Sequence, residues 1–164
     1  MIVIKPPAPC DFPADAASVF LAGSIEMGVA EDWQSSMAAH LEEMDIVVLN
    51  PRRDDWDASW RQSIDDPQFR AQVEWELDGL DRAGVIALWF VPGSRAPISL
   101  FELGLTARSR KVVVGCPDGF WRKGNVEVIC ERFGIPLLTD FDAFVTAVRA
   151  RLSKAAPPAE GDRL

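Results

Sequence analysis

The sequence is poor in the side chains on which most catalytic and metal sites depend. It has one histidine, His40, and three widely spaced cysteines, Cys10, Cys116 and Cys130. Neither a Ser–His nor a Cys–His pairing can be assembled from nearby signals, and no zinc-binding spacing is present. There is also no GxGxxG after the first apolar run and no Walker loop, which argues against dinucleotide and nucleoside triphosphate binding. Carboxylates therefore remain as the groups available for chemistry, and we expect no metal and no cofactor.

The chain also lacks an excess of positive charge and any long apolar run. The formal net charge of its 164 residues is −8, which argues against binding to a nucleic-acid polymer or to an anionic membrane surface. No stretch is long enough to cross a bilayer, the N-terminus has no hydrophobic signal core, and the cysteines form no CxxC pair. We therefore expect a single cytoplasmic domain with reduced thiols.

Apolar runs and helical stretches alternate five times along the chain. This alternation predicts a doubly wound α/β fold, a flavodoxin-like five-stranded parallel sheet with helices on both faces and the first strand at its centre. Residues 1–17 are predicted to be an N-terminal arm, 18–154 the domain and 155–164 a disordered tail. The strands are predicted near 18–22, 45–49, 85–90, 111–115 and 135–138, and the helices near 30–43, 67–82, around Glu102, 119–133 and 140–154.

In open parallel sheets ligands bind at the carboxyl ends of the strands, and several polar residues are predicted to meet there. Gly23 and Ser24 follow the first strand, and Asn50, Arg52 and Arg53 follow the second. Ser24 is a candidate to contact a substrate hydroxyl or phosphate, although Gly-Ser is also an ordinary turn. The two arginines are candidates for phosphate binding, with ion pairing inside the acidic loop 54–57 as the equal alternative. Three tryptophans could stack on a base or serve packing alone: Trp56, Trp60 and Trp121.

Two acidic residues are the candidates for catalysis. Glu102 is expected in the first turn of a helix, where Ser99 and Glu102 could form a capping box. In the alternative interpretation, the positive helix end keeps Glu102 ionised as a nucleophile. Glu76 lies on the helix 67–82, beside an expected apolar stripe of Phe69, Val73, Leu77 and Leu80. A partly apolar position would raise the pKa of Glu76 and suit it to proton transfer, so the pair fits glycosidic bond cleavage.

Four segments carry a family resemblance: Phe20–Ser24, Asn50–Arg52, Trp75–Ala83 and Ser99–Gly104. They resemble the nucleoside 2-deoxyribosyltransferases, and more closely their divergent 2-deoxyribosyltransferase-like branch. The resemblance implies homo-oligomers whose sites a neighbouring subunit completes. It also implies that Glu102 attacks the anomeric C1′ of a 2′-deoxynucleoside, that Glu76 contacts the base and assists proton transfer, and that Phe20 stands where the transferases place a Tyr.

Three features differ from the transferase pattern. Phe20 has no hydroxyl, Ala96 replaces an Asp that binds the sugar hydroxyls, with Ser99 as a partial substitute, and Arg52 and Arg53 replace neutral polar residues. The sequence therefore favours cleavage or transfer at the N-glycosidic bond of a (2-deoxy)nucleoside or nucleoside monophosphate. The alternatives are an inactive nucleotide-binding or sensor module of the same fold and a flavodoxin-like interaction domain.

Overall fold

Six parallel strands and five helices form the described residues, which are 1–25, 30–55, 57 and 59–155 of this computed structural model, the Ala155 side chain excepted. The first two strands follow each other directly, and helices and strands alternate after them. The strands are β1 Ile2–Ile4, β2 Ser18–Gly23, β3 Val47–Leu49, β4 Val85–Trp89, β5 Val112–Gly115 and β6 Leu137–Leu138. The helices are α1 Trp33–Leu41, α2 Pro67–Arg82, α3 Pro97–Thr106, α4 Lys123–Phe133 and α5 Phe141–Ala155. The predicted tail beyond Ala155 and the candidate Trp56 lie outside the described residues.

The strand order is β1-β3-β2-β4-β5-β6, and every neighbouring pair is parallel. From β3 to β6 this is the flavodoxin-like order with β2 inside the sheet, so the predicted fold class is confirmed. The predicted number of strands is one too low. Ile2–Ile4, expected within a surface arm, pairs with β3 as an added edge strand, and the short apolar run ends at the prolines that follow Lys5.

The helices cover the two faces of the sheet and divide the core into two layers. Helices α2, α3 and α4 pack on one face, with Trp75, Leu103 and Val126 among their buried side chains. Helices α1 and α5 pack on the other face, where Met37 and Phe144 are fully buried. Glu76 on α2 and Glu102 on α3 therefore project from helices that cover the same face of the sheet.

The buried face of α2 differs from the predicted stripe. Trp75, Gly79 and Leu80 are buried, whereas Val73 and Leu77 are exposed. The Trp75 ring packs against the Phe20 ring at 6.1 Å between centroids, and a Cβ on Gly79 would lie 2.6 Å from Phe20. The bulk of Trp75 and the close approach at Gly79 set the rotation of the helix, so Val73 and Leu77 of the predicted stripe face outward while Leu80 of that stripe is buried as expected.

The described residues contain no helix with both the length and the apolar character needed to cross a bilayer. The three cysteines are free, and Cys116 and Cys130 are buried. Burial raises the pKa of the Cys116 thiol to about 12 and that of Cys130 to about 11, so both are inert packing residues.

Candidate functional site

Glu102 lies in the second turn of α3, at the carboxyl-end side of the sheet. The helix begins at Pro97 after Ala96, whose side chain makes no capping hydrogen bond, so Glu102 is the sixth helical residue. Ser99 is the third helical residue and is buried. The predicted capping box is therefore wrong, because a capping Ser must precede the first helical residue. The prediction that Glu102 lies in the first turn is also wrong, because the helix begins at Pro97.

The Glu102 side chain is almost completely buried without a counter-charge. The residue is only 6% exposed, and within the described part of the chain no cation pairs with its carboxylate and no group donates a hydrogen bond to it. Burial, with a smaller contribution from the charge of Glu76, raises the pKa of the Glu102 carboxyl to about 8. An ionised Glu102 was one of the two interpretations of the sequence, whereas burial favours its protonated form at neutral pH.

Glu76 lies close enough to Glu102 for its charge to act on that carboxyl. Burial raises the pKa of Glu76 to about 7, and the hydrogen bond from Gln72 opposes part of the rise. Gln72 Nε2 donates to Glu76 Oε1 at 2.9 Å and to the carbonyl of Pro51 at 3.1 Å. The charge of Glu76 therefore acts on Glu102, and the pKa of each carboxyl lies above its ordinary value; Glu102 is buried and Glu76 is partly buried. We call these two groups the carboxyl pair.

Gln72 is a site residue that the sequence did not single out. Its Oε1 accepts from Arg53 Nη1 at 3.4 Å, so the amide joins the segment after β3 to Glu76. Arg53 also forms a two-point contact with Asp55, with Nε–Oδ1 at 2.9 Å and Nη2–Oδ2 at 3.1 Å. The guanidinium lies 5.0 Å from the Trp60 ring centroid. The signal for Gln72 was its spacing, one helical turn before Glu76.

Arg52 points away from this network. Its guanidinium donates to the carbonyl of Ala30 at 3.0 Å and to Gln34 Oε1 at 3.4 Å, and its Nε lies 3.8 Å from Asp32. Its backbone N–H donates to Asn50 Oδ1 at 3.0 Å, which shapes the turn after β3. Arg52 thus fastens this turn to the start of α1, and the structure does not bring it to Gln72 with Arg53.

Ser24 ties the end of β2 to the turn between β4 and α3. Its Oγ accepts from the Val91 N–H at 3.0 Å and lies 2.7 Å from Ser94 Oγ, which donates to the Val91 carbonyl at 2.7 Å. Gly23 before it has φ of 135°, and a Cβ there would lie 2.2 Å from the Trp89 carbonyl oxygen. These contacts hold the strand end beneath the turn that leads to Glu102.

Phe20, which the resemblance placed beside the nucleophile, is fully buried against Trp75 and Gly79. Trp121 is half exposed and donates to the carbonyl of Arg95 at 2.9 Å, outside the Arg53 network. Within the described chain no group of His, Cys, Asp or Glu side chains could hold a metal ion.

Two surface grooves lie apart from the carboxyl pair. One, of about 530 Å³, is formed by Cys10, Asp78 and Arg82 with neighbouring residues. The other, of about 440 Å³, is formed on the opposite helical layer and includes Trp33, His40 and Phe141. Neither groove includes the described side chains of Glu76 or Glu102 in its lining. We place the candidate site at the carboxyl pair, because neither carboxyl is paired with a cation among the described residues and carboxyl groups with strongly raised pKa values cluster at functional sites.

Comparison with known proteins gives one family match. The family model described as "Nucleoside 2-deoxyribosyltransferase like" matches residues 16–120, which include β2 to β5 and both candidate carboxyl groups. No curated protein matches the chain. A crystal structure of a conserved protein from Enterococcus faecalis V583 is similar in fold, with a TM-score of 0.55 and 9% identity over 82% of this chain and 98% of that chain.

Proposed function

Because the chain belongs to the nucleoside 2-deoxyribosyltransferase-like family, we propose that it cleaves or transfers the N-glycosidic bond of a (2-deoxy)nucleoside or nucleoside monophosphate. Glu102 is the nucleophile and Glu76 handles the proton. The observation that supports this most is the carboxyl pair, a buried Glu102 on α3 and a partly buried Glu76 on α2, with no cation paired to either among the described residues.

The pair carries the charges that the reaction needs when it holds one proton. An ionised Glu102 attacks C1′ while the C1′–N bond breaks, and the bond's electron pair leaves with the base. A protonated Glu76 delivers its proton to that base. Water or a second base then attacks C1′, the bond from C1′ to Glu102 breaks, and Glu102 leaves as a carboxylate. The ionised Glu76 takes the proton of the attacking group, so that water gives the free sugar and a second base gives a new nucleoside.

The carboxyl pair must redistribute its proton before this reaction. Glu102 has the higher pKa of the two, because Gln72 stabilises the ionised form of Glu76 and no described group does so for Glu102. A bound sugar supplies hydroxyl donors and, as the bond breaks, positive charge at C1′. Both favour an ionised Glu102.

The test is base release from a panel of ribo- and deoxynucleosides and their 5′-monophosphates, with and without an acceptor base, resolved by chromatography. We expect Glu102→Gln to fold normally and to lower turnover by at least about 100-fold. Glu76→Gln should lower the rate and remove the alkaline fall of the pH profile, because only one titrating carboxyl remains. Glu74→Gln is the matched control, since Glu74 is exposed on the same helix and pairs with Arg70.

No product from any member of the panel would refute the enzymatic proposal. A Glu102→Gln protein that keeps most of its turnover would refute the covalent role. A second candidate is a nucleotide-binding module without turnover, which the preference of Glu102 for its protonated form favours. That module would show ligand-induced thermal stabilisation that Glu102→Ala retains, with no product from either protein.

We also propose that the chain forms a homo-oligomer. Ile98, Phe101 and Leu105 project from one side of α3 at helical spacing and are more than half exposed. On the same face of the sheet, α2 exposes Val73 and Leu77. An apolar surface of this kind favours association with a second copy.

A further inference from the structure

We infer that Arg53 forms an anion subsite for the 5′-phosphate of a nucleoside monophosphate, and that the Asp55 carboxylate competes with this phosphate for Arg53. The inference rests on the proposed function and narrows its substrate class. It concerns four side chains that meet after β3 and beside α2, namely Arg53, Asp55, Trp60 and Gln72.

The Arg53 guanidinium is largely protected from solvent, whereas its carboxylate partner is exposed. The Arg53 side chain is only 9% exposed, whereas that of Asp55 is 68% exposed. Burying a guanidinium is costly unless its donors are well matched, and here the anion that matches them belongs to a side chain within reach of solvent. An anion that arrives from solvent can therefore compete with Asp55 for this guanidinium.

The contacts of Arg53 leave one edge of the guanidinium directed at an anion. Nη1 is engaged by Gln72, and the face of the group lies over the Trp60 ring. The remaining edge, formed by Nε and Nη2, makes the two-point contact with the Asp55 carboxylate. This edge matches carboxylate and phosphate oxygens equally well in geometry, and a phosphate brings more charge and an additional acceptor oxygen.

Position links this edge to the catalytic pair. Gln72 is bonded to Arg53 through Oε1 and to Glu76 through Nε2, so the subsite lies two hydrogen bonds from Glu76. A phosphate held by Arg53 would be anchored beside the carboxyl pair. Because the whole chain has a net charge of −8, an anionic substrate needs such a local cation to overcome the overall repulsion. Arg52 does not provide this cation, since its guanidinium contacts the start of α1.

The experiment measures binding to full-length protein carrying Glu102→Gln, so that turnover does not consume the ligand. The probes are the four 2′-deoxynucleosides, their 5′-monophosphates and inorganic phosphate, titrated by calorimetry. We expect at least one monophosphate to bind about tenfold or more tightly than its nucleoside. Arg53→Gln should make the affinities for monophosphate and nucleoside nearly equal. Arg53→Lys should leave an intermediate preference, because lysine keeps the charge and loses the planar edge with two donors.

Asp55→Asn tests whether the Asp55 carboxylate competes with a phosphate for Arg53 or only stabilises the loop. Removing the carboxylate removes the competitor, so monophosphate affinity should rise about threefold to tenfold while nucleoside affinity stays the same. Asp54→Asn is the matched control, because Asp54 is also exposed but pairs with Lys5. Arg70→Gln is the control for Arg53, since Arg70 is exposed and pairs with Glu74 on the same helix as Gln72. Thermal melting of each variant verifies folding.

Equal affinities for nucleoside and monophosphate, or a ratio that Arg53→Gln leaves intact, would overturn the subsite. Monophosphate affinity that is unchanged or weaker in Asp55→Asn would show that Asp55 does not compete with the phosphate for Arg53. Inorganic phosphate that binds as tightly as the monophosphates, with the same dependence on Arg53, would overturn the substrate class. Base release from nucleosides without any phosphate preference leaves the proposed function standing and refutes this inference. A preference for the monophosphates without base release by the native chain would support this inference and refute the proposed function.

Discussion

Glu102 combines a charge-bearing side chain with a position that offers it no counter-charge among the described residues. A buried carboxyl of this kind remains protonated until the pH exceeds its raised pKa, and it loses stabilisation when it ionises. Glu76 adds to this cost, because each carboxylate raises the energy of the other. In the proposed reaction Glu76 is protonated, and burial without a described counter-charge makes the ionised form of Glu102 a more reactive nucleophile.

The pH dependence of stability should report on these two residues. The pKa rises from 4.5 to about 8 for Glu102 and to about 7 for Glu76, so above pH 4.5 the folded chain holds protons that the unfolded chain has released. Stability therefore falls as pH rises through this range and levels off above about pH 8. We expect Glu102→Gln to reduce that fall by about 1.4 kcal/mol for each unit of pKa difference it removes.

Urea unfolding at several pH values measures this effect. Glu74→Gln should leave the pH dependence unchanged, since Glu74 is exposed and paired with Arg70. Equal slopes for the native chain and Glu102→Gln between about pH 5 and about pH 8 would show that Glu102 is not a buried proton-holding group.

At the scale of elements, the end of β4 is fixed by close packing against helix α5 and strand β5. The Trp89 ring packs 5.1 Å from the centroids of Phe141 and Phe144 and lies against Gly115 of the adjacent strand β5. A Cβ on Gly115 would lie 1.9 Å from the Trp89 ring. Glycine at this position allows the aromatic residue to fill the core beneath the carboxyl edge of the sheet.

Gly115→Ala should therefore destabilise the protein by about 1–3 kcal/mol, because the Trp89 ring has to shift within a packed core. Gly124→Ala is the control, since nothing lies within 4 Å of a Cβ there and the residue is in α4. It should leave stability unchanged or raise it by up to about 1 kcal/mol. Chemical denaturation compares the two variants, and equal effects would contradict the packing account.

Helix α2 shows how far local pattern predicts an element. The sequence predicted its bounds, Pro67–Arg82, through the apolar spacing, and the structure adds the Asp66 cap and Pro67 at the first position. It did not predict the buried face, because Val73 and Leu77 satisfy helical periodicity as well as Trp75 does. That choice depends on which strand residues lie beneath the helix, and here Phe20 meets Gly79.

At the scale of the whole molecule, the outer surface of α2 and α3 is the unusual feature. Phe101 is 60% exposed at the centre of the apolar side of α3, between Ile98 and Leu105. Exposed aliphatic and aromatic residues at this density are uncommon on monomeric proteins. The proposed homo-oligomer would bury them and place a second chain beside the helices that carry the carboxyl pair.

Phe101→Glu should shift the protein to the monomer, because a carboxylate at the centre of an apolar interface would be buried without a partner. Analytical ultracentrifugation over a range of concentrations measures the change. Val128→Glu is the control, since Val128 is a similarly exposed apolar residue on α4. A native chain that remains monomeric at all concentrations would refute the oligomer.

The sequence by itself determined the alternation of strands and helices, the flavodoxin-like order and the family, because periodicity, turn residues and short motifs are local. It did not determine the added strand β1, whose three residues are too few to show a period. Only the tertiary structure decided that Glu102 is buried in the second turn of α3 and does not form a capping box with Ser99. It likewise decided that Arg53, and not Arg52, contacts Gln72 and is connected through it to Glu76. Burial and charge at these residues depend on groups distant along the chain, which the packing of α2 and α3 on one face of the sheet brings together.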